Sequence, residues 1–156
     1  MWRRFSSNSV HRVDQKGRVS VPALFRKTLE TLDAGGTVIL VPGFRHPKAI
    51  EGYAPSGYED IAAKISRMHP ASRERKILEW RFTGQAQPMQ VDETGRIVLS
   101  PQLKAAAGIG AEALFVGAGD SFQIWNPAAH AETMRALEAE TGPEDALEMM
   151  PWGDEA

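Results

Sequence analysis

One six-residue pattern occurs twice in this chain. Residues 13–18 read Val-Asp-Gln-Lys-Gly-Arg, and residues 91–96 read Val-Asp-Glu-Thr-Gly-Arg. Each is followed by a short apolar run, a proline and a small amphipathic helix pattern, and the same order of elements then continues through each half. This is an internal duplication, and it constrains the fold more than any other feature. One copy, at roughly fifty residues, offers a thin core, and a two-stranded hairpin is marginal on its own. The two copies are therefore expected to pack on each other. Two copies of one basic hairpin also point to a repeated binding surface rather than to a single catalytic pocket.

In the first copy Ser9–Val13 alternates as a strand does. Asp14-Gln15-Lys16-Gly17 has the residue preferences of a type I turn, with Gly17 free to take a positive φ where the strand restarts. Arg18–Val21 alternates again, with Val19 and Val21 on one face and Arg18 and Ser20 on the other. Pro22 suits a helix start, and Ala23–Leu29 reads as about two helical turns. Thr37–Val41 and Ala49–Tyr53 complete the copy as strands. The second copy repeats this order in Gln87–Val91, the turn Asp92-Glu93-Thr94-Gly95, and the strand Arg96–Leu99. Ser100 is a natural cap before a helix over Gln102–Ala107, and Gly108 is its stop. Ala113–Val116 and Phe122–Trp125 close the copy. One extra residue separates arginine from proline in this half, which predicts a shifted helix start.

Two helices are expected between the copies, one carrying Tyr58, Ile61, Ile65 and Met68 and one from about Ala71 to Phe82, broken at His69-Pro70. A single helix over Ala128–Ala139 follows the second copy. Residues 141–156 are acidic and interrupted by Pro143, Pro151 and Gly153, and they read as a tail without regular structure. The net charge of -2 conceals an asymmetry. From residue 132 onward eight acids face Arg135 alone, whereas residues 1–27 hold Arg3, Arg4, Arg12, Lys16, Arg18, Arg26 and Lys27 against Asp14. A basic N-terminal face suits a polyanion partner.

There is no cysteine, which removes disulfides and thiolate metal sites and fits a reducing cytosol. The charged start has no apolar stretch behind it, so no secretory signal is expected, and no apolar run is long enough for a membrane span. His11, His46, His69 and His130 are singly placed, without metal-binding spacing. No nucleophile elbow occurs. Gly-Ile-Gly at 108–110 and Gly-Ala-Gly at 117–119 lack the residues of a phosphate cradle and read as turns. No enzyme activity, cofactor or metal is expected. An arginine beside a turn can instead clamp guanine with two hydrogen bonds or neutralise a phosphate. Asp14 and Asp92 are placed to accept turn N–H groups and to aim Arg18 and Arg96.

With these residues the chain resembles the MraZ family of bacterial transcriptional regulators, whose members carry two AbrB-like domains. The resemblance runs through the arginine-rich start, Asp14-Gln15-Lys16-Gly17-Arg18-Val19-Ser20-Val21-Pro22, Ser66-Arg67-Met68-His69-Pro70 with Arg73, Asp92-Glu93-Thr94-Gly95-Arg96, Leu114–Gly117 and Phe122–Trp125. His69 and Lys104 depart from it, standing where asparagine and arginine are usual. The resemblance implies an α+β, mainly β fold: a double swapped-hairpin AbrB-like β-barrel with peripheral helices. Its domains would be 8–57 and 86–129, with a helical linker at 58–85 and a C-terminal helix and acidic disordered tail at 130–156. It implies a cytoplasmic, nucleoid-associated repressor of its own operon, the division and cell wall gene cluster. Ring-like homo-oligomers would bind direct repeats in promoter double-stranded DNA. The DNA-contacting arginine of the family motif falls on Arg18 and Arg96, joined by Lys16 and, as auxiliary phosphate contacts, by Arg3, Arg4 and Arg12. Asp14, Gly17, Asp92 and Gly95 would shape the turns. The alternative is a non-enzymatic, antitoxin-like protein-interaction module that uses the acidic tail and linker helices.

Overall fold

Among the described residues, four of the eight strands pair only with strands of the opposite copy. In this computed structural model, which describes residues 2–153, the first copy holds β1 (Asn8–Arg12), β2 (Arg18–Ser20), α1 (Ala23–Leu32), β3 (Thr37–Pro42) and β4 (Ala49–Tyr53). Two linker helices follow, α2 (Pro55–Ser66) and α3 (Arg73–Leu78), the second continuing into a π-helical turn at Glu79–Thr83. The second copy holds β5 (Gln87–Gln90), β6 (Arg96–Val98), α4 (Pro101–Ala107), β7 (Glu112–Gly117) and β8 (Phe122–Trp125), and α5 (Pro127–Glu140) and α6 (Pro143–Glu148) end the chain.

The strands form a six-stranded antiparallel sheet, in the order β1-β7-β8-β4-β3-β5, and a separate two-stranded sheet, β2-β6. Exchanging the copies reverses the first order and restores it, so a pseudo-twofold axis runs between β4 and β8 and between β2 and β6. β1 lies on β7, and β5 lies on β3. The closed barrel implied by the resemblance is not made by these ladders. β2 and β6 use their hydrogen-bonding groups on each other, and β1 and β5 remain the edges of the larger sheet. A local hairpin of β1 with β2 does not form either. Their turn closes through Gly17 N–H to Asp14 carbonyl (3.0 Å), but Val13 already donates to Ala111 of the other copy (2.8 Å).

The core lies where the copies meet. Val19, Val21, Phe25 and Leu29 of the first copy and Ile97, Leu99, Leu103 and Ala107 of the second are all buried. These residues keep one constant offset. The second copy therefore has no insertion here: α1 begins at Ala23 and α4 at Pro101, with the proline one place later in the same helix start. Phe25 packs on Phe5, Phe115 and Phe122, with ring centroids 5.1–6.3 Å apart. Gly52 lies beneath the Phe122 ring so closely that a β-carbon would come within 2.2 Å of it.

The linker packs mainly on the first copy. Phe82 is fully buried among Val41, Tyr53 and Ile65, and Tyr58 stacks on it at 4.5 Å. A regular helix over 71–82 was the expectation. The π turn instead inserts an extra residue per turn, which brings Phe82 inward while Ile77 and Trp80 face solvent. The C-terminal stretch also departs from expectation, since Pro143–Glu148 is helical, with proline at its first turn and Glu144 and Asp145 favourable at its N-terminus. Asp154 and Glu155 of the acidic tail, and Met1, lie outside the described residues. Among the described residues no helix is long and apolar enough to cross a membrane.

Candidate nucleic-acid interface

The two motif arginines share one small surface. In the β2-β6 ribbon Arg18 is opposite Val98, Val19 opposite Ile97, and Ser20 opposite Arg96. Alternation turns Val19 and Ile97 into the core, each 1% exposed, and sets Arg18, Ser20, Arg96 and Val98 on the outer face. Arg18 and Arg96 are diagonal neighbours there, roughly 7–8 Å apart at the backbone. Their side chains are 40% and 37% exposed, so both are partly open to solvent.

Each arginine leaves a turn built by aspartate and glycine. Gly17 and Gly95 take φ of +83° and +80°, and each donates to the aspartate carbonyl three residues back at 3.0 Å. Each glycine carbonyl then accepts from the other copy, Gly17 from Leu99 N–H (2.8 Å) and Gly95 from Val21 N–H (2.9 Å). The turns are thus anchored crosswise.

Asp14 Oδ1 accepts from the backbone N–H groups of Lys16 and Arg18, both at 2.9 Å, and Oδ2 accepts from Arg18 Nε at 2.6 Å. The Arg18 backbone N–H, reinforced by the Arg18 side chain and the Lys16 N–H, holds this carboxyl below the ordinary aspartate value of 3.8. Asp92 Oδ1 accepts from Arg96 N–H (2.9 Å), Thr94 N–H (2.9 Å) and Thr94 Oγ1 (2.8 Å). Those contacts, the Arg96 N–H foremost, lower its pKa in the same direction. The second clamp is looser at its arginine. Arg96 Nε stands 3.5 Å from Asp92 Oδ2 and is buried without a hydrogen-bond partner among the described residues.

Two further cations, not singled out from the sequence as contacts, flank the turns. Arg26 of α1 donates its Nε–H to Val21 carbonyl at 3.1 Å and lays its guanidinium against Gly95. Lys104 of α4 shares a hollow of about 270 Å³ with Gln15, Lys16 and Gly17. Arg26 and Lys104 occupy the same place in the two copies, so each turn is bordered by the helix cation of the opposite copy. The signal for this was in the sequence, in the constant offset of the buried positions, but only the strand exchange brings it out.

The other residues singled out from the sequence are spread more widely. Lys16 is exposed at the first turn, and Arg12 is exposed at the end of β1 leading into it. Arg3 and Arg4 lie beyond the opposite end of β1, which spans about 14 Å. Arg4 pairs with Asp120 at 3.3 Å, and Arg3 lines a hollow with Arg45, Lys64 and Asp120. Neither adjoins the Arg18–Arg96 face.

The family model described as "MraZ protein, putative antitoxin-like" matches residues 82–149, which include the second turn. A protein of Ruegeria pomeroyi is 45% identical over 136 residues, covering 83% of this chain and 81% of the relative. The chain belongs to the MraZ family. An MraZ protein of Ruegeria strain TM1040 is 42% identical, covering 87% of this chain and 85% of its own length. One of Parvibaculum lavamentivorans is 39% identical, covering 81% and 78%. All three bear the name transcriptional regulator MraZ.

Proposed function

We propose that this MraZ-family chain is a sequence-specific, DNA-binding transcriptional regulator. The observation that carries the reading is the pairing of Arg18 and Arg96 on one outward ribbon face, with aspartates aiming both. A two-stranded ribbon is narrow enough for the major groove. Its outer face offers two guanidinium groups to guanine edges or phosphates, a hydroxyl at Ser20, and at Val98 an exposed apolar side chain suited to a thymine methyl. Lys16, Arg26 and Lys104 border this face as phosphate contacts, with Arg12 near the first turn. The names of the relatives support the regulatory role.

The finer reading is repression of its own operon, the division and cell wall gene cluster, from the nucleoid. A single ribbon makes few contacts, so binding to direct repeats by a ring-like homo-oligomer would raise the effective concentration of each further ribbon. The swapped-hairpin description of the fold rests on the exchange of β1 and β5 between copies.

The test is titration of the DNA upstream of this gene across a range of salt concentrations. Arg18→Ala is expected to weaken binding by roughly 1–3 kcal/mol per engaged ribbon and to flatten the salt dependence. Arg96→Ala is expected to cost less, because its turn carries Glu93 and Thr94 where the first turn has Gln15 and Lys16. A folded Arg18→Ala protein with unchanged affinity rules out the role given to Arg18. The second reading, an antitoxin-like interaction module, draws on the description of the family model. It predicts a complex with another protein that is lost on removing residues 141–156, whereas DNA binding that survives this removal favours the first reading.

A further inference from the structure

Two exposed surfaces of this chain complement each other and are left apart within one copy. The first is the C-terminal segment. Leu147, Met149, Met150 and Trp152 are 51%, 85%, 47% and 58% exposed. Trp152 donates its indole N–H to Leu147 carbonyl at 3.0 Å, which gathers these side chains into a knob at the end of α6. Around the knob, from Ala136 to Gly153, stand Glu138, Glu140, Glu144, Asp145 and Glu148 with no lysine or arginine. The second surface is the outer side of α3 and its π turn. Because the π turn sends Phe82 inward, Ile77 and Trp80 remain 56% and 65% exposed. Arg73, Lys76 and Arg81 surround them, and Lys64–Gln85 holds six lysines and arginines against two glutamates. Beside Trp80 a hollow of about 290 Å³ opens against Pro42, Pro47 and Ala106.

We propose that the segment Pro143–Gly153 of one copy docks on the α3–π-turn face of a second copy. Apolar side chains with an acidic surround on one partner meet apolar side chains with a basic surround on the other. The linker face belongs to the first half of the chain, since α2, α3 and the π turn pack on β3 and β4. The knob sits at the end of α6, which follows α5, a fourteen-residue helix that leaves β8 and packs through His130 on Trp125. The contact is therefore head to tail. Repeated from copy to copy, a contact between unlike surfaces closes a ring or extends a filament. The inference rests on the homo-oligomeric reading above and supplies it with a specific latch.

The chain has no cysteine, so introduced thiols report this contact cleanly. An Ile77→Cys protein and a Met150→Cys protein, of different mass, are mixed in equal amounts and oxidised gently. The mixed disulfide dimer is expected to exceed both symmetric dimers several-fold. Trp80→Ala in the first protein or Trp152→Ala in the second is expected to abolish that excess while each chain keeps its far-ultraviolet spectrum. A random distribution of dimers from a protein that is oligomeric by mass overturns the latch and leaves the homo-oligomer standing. A wild-type chain that is monomeric at every concentration overturns both. If a chain carrying both cysteines closes on itself instead, the segment covers its own linker and docking between copies is wrong.

Discussion

Asp14 does two things with one carboxylate, and its chemistry is open to direct test. It fixes the turn through two backbone N–H groups and orients the guanidinium of Arg18. Its pKa is depressed in the folded chain, so its contribution to stability is complete above the ordinary value of 3.8 and is lost as pH falls through the lower folded value. Melting curves of wild type and Asp14→Asn are expected to differ at neutral pH and to converge as the pH drops below 3.8. The turn glycines are separable in the same way. A β-carbon on Gly17 would stand 2.3 Å from Leu99 carbonyl oxygen, whereas one on Gly108, also at positive φ, would meet nothing within 4 Å. Gly108→Ala carries only the conformational penalty of about 1–2 kcal/mol. Gly17→Ala adds displacement of the Leu99 N–H bond, for about 2–3 kcal/mol in all, and loosens the ribbon. Urea unfolding measures the difference, and equal losses at the two positions refute the crosswise anchoring of the turn.

At the scale of elements, face was legible in the sequence and partner was not. Ala49–Tyr53 and Phe122–Trp125 form strands as read, and Ser100 and Gly108 bound α4 as expected. The alternation that placed Val19 inward and Arg18 outward holds, as does the aspartate–glycine turn. What periodicity does not encode is which strand pairs with which. Reading outward from the turn suggested a β1-β2 hairpin, yet β2 takes β6 because the same pattern, duplicated, offers a better-buried partner. The π turn was illegible for a similar reason, since burying Phe82 outweighs helix regularity. The symmetry of the pairing has one more consequence, at the axis itself. Glu51 and Gln123 lie directly opposite each other on β4 and β8. Glu51 is 1% exposed and is held by Arg45 N–H (2.6 Å), Arg45 Nε (3.2 Å) and the Tyr53 hydroxyl. In the second copy Gln123 instead accepts from the Trp125 indole at 2.8 Å. A neutral residue there keeps two carboxylates from facing one another in a dry sheet. Gln123→Glu is expected to cost about 1–2 kcal/mol in urea unfolding at pH 7.5. Unchanged stability in that variant argues against any repulsion between the two positions.

For the molecule as a whole the strand exchange decides what can fold alone. Residues 2–85 contain β1 to β4, α1 and the linker helices, but not β5, β6, β7 or β8. In that fragment β1 has no β7, β2 has no β6, β4 has no β8, and β3 has no β5. Only the β3-β4 pair and the small cluster around Phe82 remain. Phe25 loses Phe115 and Phe122, which come from the other half. A single two-stranded unit of this kind is marginal in water, so the monomeric fragment is expected to be largely unfolded. A second copy of the same fragment, however, supplies every missing strand in the equivalent register, because the ladders β1-β7, β2-β6 and β4-β8 obey the twofold. The fragment should therefore fold by dimerising, with Phe25 of each copy packing in the other. Its circular dichroism should strengthen with concentration in step with the appearance of dimer mass, and Val19→Asp, which puts charge into the β2-β6 core, should abolish both together. A fragment that is folded and monomeric at micromolar concentration would mean that the copies are independent domains and that the exchange of strands is dispensable. A fragment that dimerises would show how two turns on one ribbon arise from a chain that encodes each of them only once per copy.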